Sequence, residues 1–106
     1  MFARNVSIQL KPNTLTEFTR TMDSEILPLL RKQKGFQDEI TLSAPTEREV
    51  VAISFWDNRE SAEAYNSTAY PEVLKILAKY VDGTPHIRTF NVGSWTTQKA
   101  AARVAA

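Results

Sequence analysis

Residues 36–56 read FQDEITLSAPTEREVVAISFW, and the two ends of this stretch carry different patterns. Phe36 to Ser43 predicts a strand with Phe36, Ile40 and Leu42 on one face. Ala44-Pro45-Thr46-Glu47-Arg48 is polar and turn-like. Glu49 to Trp56 predicts a second strand, and its run Val50, Val51, Ile53, Phe55, Trp56 is apolar on both sides. A strand apolar on both sides lies centrally in a sheet with both faces covered. Two such runs joined by a short loop form an antiparallel hairpin.

Outward from this hairpin the chain repeats one order on each side. Before it, Phe2 to Leu10 alternates Val6, Ile8 and Leu10 with Asn5, Ser7 and Gln9, the period of a half-buried strand. Lys11-Pro12-Asn13 ends that strand, and Thr14-Leu15-Thr16-Glu17 reads as a capping box. Leu15, Phe18, Met22, Ile26, Leu29 and Leu30 then recur at helical spacing, with Glu17, Arg20, Thr21, Ser24 and Glu25 opposite. Pro28 is expected to kink this helix and Gly35 to stop it. After the hairpin, Asp57 is the expected N-cap of a short helix through Tyr65, and Pro71 opens a further helical segment. Tyr70, Leu74, Leu77 and Tyr80 or Val81 form the inner stripe of that segment. Asp82-Gly83-Thr84-Pro85 is a turn, and His86 to Val92 is the last strand, with a bulge expected because Ile87, Phe90 and Val92 do not alternate strictly.

The resulting order is β-α-β-β-α-β, the ferredoxin-like unit of the α+β class, with a four-stranded antiparallel sheet and helices on one face. The domain is expected over residues 1–95, with an alanine-rich tail at 96–106. The other sheet face is left bare, which marks it as an interface and predicts a homodimer. A chain of 106 residues buries only about 60–70% of its unfolded surface by itself, which also favours pairing.

The bulk chemistry removes several function classes. Thirteen basic against twelve acidic residues leave a formal charge of +1, too even for a nucleic-acid footprint. The basic cluster Arg31, Lys32, Lys34 falls in the last turn of a predicted helix, where cations complement the dipole. The absence of cysteine excludes thiol nucleophiles and iron–sulfur clusters. No apolar run approaches the roughly 18 residues that span a bilayer, and the first residues lack a signal-peptide pattern. The expectation is a cytoplasmic protein with no membrane or nucleic-acid partner.

Gly35-Phe36, the run into Trp56-Asp57 and the helix Glu60-Ser61-Ala62-Glu63-Ala64-Tyr65 resemble the antibiotic biosynthesis monooxygenase superfamily. That resemblance covers roughly residues 2–95 and implies a dimeric α/β barrel, in which two four-stranded sheets close on each other. It implies a range of activities: cofactor-free oxygenation of polycyclic aromatics, haem degradation, modification of signal aldehydes. The haem-degrading branch carries an Asn in the first strand, then a Trp and an iron-binding His in the helix after the third strand. Here Asn5 is out of phase with the apolar positions, Tyr65 stands near the Trp position and Lys75 near the His position. Without an axial imidazole the strongest haem anchor is missing.

No phosphate-binding glycine loop, zinc-protease motif or nucleophile elbow is present, and His86 is the one histidine. Chemistry without a cofactor must then rest on hydrogen bonds and one base, in an apolar pocket between sheet and helices. Tyr65 is the expected polar contact, Asn5 a second donor and His86 the base near neutral pH. Trp56 is expected to fill the core. The function expected is a cofactor-independent monooxygenase acting on a small aromatic or enolisable molecule. The alternative is a non-catalytic dimeric module of the same fold that binds a small ligand or a protein.

Overall fold

A computed structural model describes residues 1–96. The elements run β1 (Phe2–Gln9), α1 (Leu15–Thr21), a π-helical turn (Met22–Ile26), α2 (Leu27–Arg31), β2 (Phe36–Ser43), β3 (Glu49–Trp56), α3 (Arg59–Thr68), α4 (Tyr70–Leu77) and β4 (His86–Asn91). The sheet is antiparallel throughout, in the order β2-β3-β1-β4. This is the ferredoxin-like βαββαβ fold, and β3 and β1 are its central strands. The expected tail lies outside the described residues from 97 onward.

The helices cover one sheet face. Even-numbered residues of β1 and β3 point at them: Phe2, Arg4, Val6 and Ile8 from β1, and Val50, Ser54 and Trp56 from β3 are all buried. Phe18, Met22, Ile26 and Leu30 from the first helical stretch, and Tyr65, Val73 and Leu77 from the second, complete the core. The opposite face carries Asn5 and Ser7 of β1, Val51, Ile53 and Phe55 of β3, and Ile40 and Leu42 of β2 in register.

Several local details differ from the sequence reading. Thr14 is the N-cap residue of α1 but does not form the capping box; its hydroxyl donates to the Lys11 carbonyl at 2.7 Å, while Glu17 pairs with Arg20 at the surface. Thr21 belongs to the buried side, where its hydroxyl bonds the Tyr80 hydroxyl at 2.9 Å. Pro28 sits in the first turn of α2, and the turn before it opens to π geometry, with the Leu27 N–H reaching back to the Met22 carbonyl. A proline has no N–H to give and its ring collides with the carbonyl four residues back. Widening the preceding turn accommodates both effects, so the stretch continues as helix.

Asn58, not Asp57, is the N-cap of α3, accepting from the Ser61 N–H at 2.9 Å. Gly35 is required twice over. Its φ is +82°, in the region that favours glycine, and a β-carbon there would collide with Asp57 and Ser61. A bulge between Phe36 and Asp38 turns Phe36 to the helix side, against Trp56, so it does not share a face with Ile40 and Leu42. In α4 the inner stripe is Tyr70, Val73, Leu77, with Leu74 at the solvent edge. The last strand keeps unbroken register with β1 over Phe2↔Asn91 to Ser7↔His86, without the expected bulge. Ile87 and Phe90 simply lie on opposite faces.

Candidate functional site

A cavity lies between the helices and the sheet, walled by Val6, Ile8, Ile26, Leu30, Val73 and Leu77. Its enclosed volume is about 50 Å³, and the whole atom-free space including the open mouth is about 510 Å³. The enclosed part is far short of the roughly 300 Å³ of a typical ligand pocket. A ring therefore enters only if the mouth widens, and Leu74, exposed at the rim, is the side chain best placed to swing outward.

The polar side of the cavity is built by strand register. Glu39 of β2 stands opposite Ser54 of β3, and Ser54 opposite Arg4 of β1. The three form a polar row across this face, and all line the cavity. Arg4 is 3% exposed. Its Nη2 donates to Asn66 Oδ1 at 2.7 Å, and its guanidinium carbon lies 4.0 Å from the Tyr70 ring centre and 5.2 Å from that of Tyr65. The break between α3 and α4, where Pro71 opens the new helix, lets both tyrosines lean over the same cation. Ser54 accepts from Trp56 Nε1 at 2.9 Å, and the Trp56 ring stacks on Tyr65 at 5.1 Å.

Burial sets the protonation states. It pushes the Tyr65 hydroxyl up to about 12 from its usual 10, against the opposing pull of Arg4. It raises Tyr70 in the same way, again against Arg4. Both phenols are therefore neutral donors at physiological pH. Burial also raises the Glu39 carboxyl above 4.5; hydrogen bonds from Thr41 oppose the shift, and Asp38 and Asp23 add to it. A carboxylate so placed accepts a proton more readily than an exposed one.

Of the three residues singled out by sequence, Tyr65 lines this cavity and the other two do not. Asn5 and His86 occupy the opposite phase of the pleat, facing away from the helices: Asn5 pairs with Ile53 and Arg88 in register, and His86 with Ser7. The sheet separates both from Tyr65, so neither the second donor nor the base reaches the site. His86 is solvent-exposed, and Asn5 Oδ1 is buried without a hydrogen-bond partner among the described residues. Lys75, at the position of the haem branch's histidine, is exposed, so no imidazole faces the cavity and the residues do not fit haem. No group of three or more His, Asp or Glu side chains among the described residues is placed to hold a metal ion, and no described helix is long and apolar enough to cross a membrane.

Arg4, Glu39 and Ser54 were the residues that sequence reasoning overlooked. A signal for Arg4 existed. It stands in the same phase as Phe2, Val6, Ile8 and Leu10, and a cation on the apolar phase of a strand is a buried cation. Glu39 and Ser54 had no such signal, because their placement depends on the cross-strand register.

The family model described as antibiotic biosynthesis monooxygenase matches residues 1–91. Among solved structures, a protein of unknown function from Nitrosomonas europaea superposes with a TM-score of 0.76 at 16% identity, covering 90% of this chain and 91% of its own. A monooxygenase of Streptomyces coelicolor, in complex with the ligand nanaomycin D, reaches 0.76 at 14% identity over 89% of this chain and 88% of its own. A conserved protein from Methanosarcina mazei reaches 0.67 at 22% identity over 85% and 91%. At such identities the likeness establishes the fold. No curated protein sequence matches the chain.

Proposed function

The chain belongs to the antibiotic biosynthesis monooxygenase family, and from that premise we propose that it oxygenates a small aromatic or enolisable molecule without a cofactor, in the cavity between sheet and helices. The observation that carries this reading is the cavity itself: apolar walls closed on one side by Arg4, Glu39, Ser54 and Tyr65. Deprotonation makes an enolisable or phenolic ring electron-rich enough to reduce dioxygen directly. At a ring methylene, one oxygen atom then ends as a carbonyl and the other as water. Apolar walls supply the dry environment this needs. Glu39 takes the role of base, in place of His86, and Tyr65 that of neutral donor to the oxygen on which charge develops. The Streptomyces coelicolor monooxygenase, crystallised with nanaomycin D, has the same fold and supports a search among small molecules.

The test is oxygen consumption by purified protein with anthrone-like and quinol substrates in the presence of a chelator. Turnover that falls at least tenfold in both Glu39→Gln and Tyr65→Phe supports the reading; turnover unchanged in both removes these residues from the chemistry. The small enclosed volume favours a second reading, a binding module without turnover. In that case ligands raise the melting temperature while oxygen is not consumed.

We also infer that two copies pair through the helix-free sheet face. Ile40, Leu42 and Phe90 are exposed there, at 47%, 48% and 42%, beside half-buried Val51, Ile53 and Phe55. A hollow of about 500 Å³, floored by Ile40, Phe55 and Trp95, opens on the same face. Covering this surface removes apolar area from water.

A further inference from the structure

We propose that the Arg4 guanidinium is an anchor for an ionised oxygen, so that the cavity takes its ligand as an oxyanion, a phenolate or an enolate. The proposal rests on the reading of this cavity as the ligand site and specifies the chemical class of the ligand.

The argument starts from a charge that its own fold leaves uncompensated. Arg4 is 3% exposed, and buried cations are normally matched by a carboxylate, since an unmatched one is strongly disfavoured away from water. Among the described residues the ion pairs are Arg20–Glu17 and Arg59–Glu63, both exposed, and neither reaches Arg4. What surrounds the guanidinium is neutral: the Asn66 amide oxygen at 2.7 Å and the faces of Tyr65 and Tyr70. Both phenols keep their protons, because burial raises them, so neither supplies the missing negative charge. Glu39 is the carboxylate that lines the cavity, and it sits two strands away with Ser54 between. No ion pair joins the two side chains among the described residues.

The fold also holds this cation ready. The Asn66 bond and the Tyr70 ring fix the plane of the guanidinium before any ligand arrives. The planar fork suits an oxygen with delocalised charge. The Tyr65 hydroxyl, on the same side of the cavity, is a second neutral donor. A phenol or enol entering between Glu39 and Arg4 would pass its proton to the Glu39 carboxylate, leaving the electron pair on the ligand oxygen. The resulting anion faces Arg4, and the apolar walls take the ring.

The experiment uses a chromogenic pair, 4-nitrophenol and its uncharged methyl ether, titrated into the full chain at a pH where free nitrophenol is ionised. Wild-type protein is expected to bind the phenolate about ten- to a hundredfold tighter than the ether, with the pKa of the bound phenol lowered by about one to two units. Because the cation is buried, raising the salt concentration should change the preference little. Arg4→Met, which keeps an unbranched apolar stem, should lose the preference while still binding the ether. Arg88→Ala, on the opposite sheet face, should keep it. Equal binding of phenolate and ether by the wild type overturns the anchor and leaves the ligand cavity standing; so does a preference that survives in Arg4→Met. Binding of neither molecule, with cavity-lining Leu77→Trp also without effect on oxygen consumption, removes the cavity reading and the anchor together. Should Arg4→Met fail to fold, the wild-type preference and its salt response decide.

Discussion

The guanidinium carbon of Arg4 stands 4.0 Å from the centre of the Tyr70 ring, so a strand at the middle of the sheet and the first residue of α4 are joined by a cation and an aromatic face. The pairing ties the break between α3 and α4 to the sheet beside the cavity. A desolvated cation–π contact contributes up to about 2 kcal/mol. Tyr70→Phe keeps the face and is expected to cost less than about 1 kcal/mol in urea unfolding. Tyr70→Leu removes it and is expected to cost about 2 kcal/mol more than the phenylalanine variant.

Trp56 is fully buried, packed edge-on against Phe36 and stacked on Tyr65. Trp56→Ala is expected to cost about 3–5 kcal/mol. Ser54→Ala leaves the indole N–H without its acceptor and is expected to cost about 1–3 kcal/mol. Equilibrium unfolding of both variants measures this. A Trp56→Ala protein that keeps wild-type stability while losing ligand binding would show that the ring serves the ligand rather than the core.

Glu39 ties stability to pH. Its carboxyl is raised by burial in the fold, so the native state holds that proton to higher pH than the unfolded chain. The associated stability is present below the unfolded value and lost as pH rises through the folded one. Glu39→Gln is therefore expected to raise the melting temperature near pH 7 and to change it less near pH 4. The opposite order would mean that Glu39 makes a charged contact in the fold.

Tyr65 has the corresponding alkaline signature. Its hydroxyl is raised to about 12, above its usual 10. The native state thus keeps a proton that the unfolded chain has lost, and stability falls as pH climbs from 10 towards 12. Tyr65→Phe is expected to flatten this limb, which unfolding curves at successive alkaline pH values will show. An ultraviolet titration of the native protein should contain one phenol ionising about two units late.

The helix-free sheet face has its own test. An interface on it should bury more than roughly 1,000 Å² in total. Sedimentation is expected to show a dimer at micromolar concentration, and Ile53→Glu, at the centre of that face, should yield a folded monomer. A wild-type chain that sediments as a stable monomer removes the pairing.

Periodicity settled the architecture. The two-residue alternation of residues 2–10, the doubly apolar run at 49–56 and the helical stripes between them are local patterns, and the βαββαβ order follows from their sequence alone. The same alternation contained the position of Arg4, in phase with Val6 and Ile8, since successive side chains on a strand point to opposite faces. By that rule Asn5 lies on the other face, as it does. His86 could not be placed until its partner was known, because a single strand does not say which of its phases faces the helices. Pairing with Ser7 decided it.

The site, by contrast, depends on register and on packing between elements far apart in the chain. Glu39, Ser54 and Arg4 come from three strands and align only because β2 pairs with β3 in the register Glu39↔Ser54 and β3 with β1 in the register Ser54↔Arg4. A shift of one residue in either pairing would send one of them to the opposite face, and the bulge at Phe36 shows that such shifts do occur here. The protonation states of Tyr65 and Glu39 also arise only when helices close over the sheet and exclude water. The choice of side along one strand is a local steric property that sequence periodicity records. The neighbours of a side chain, and the dielectric around it, exist only once the layers have packed.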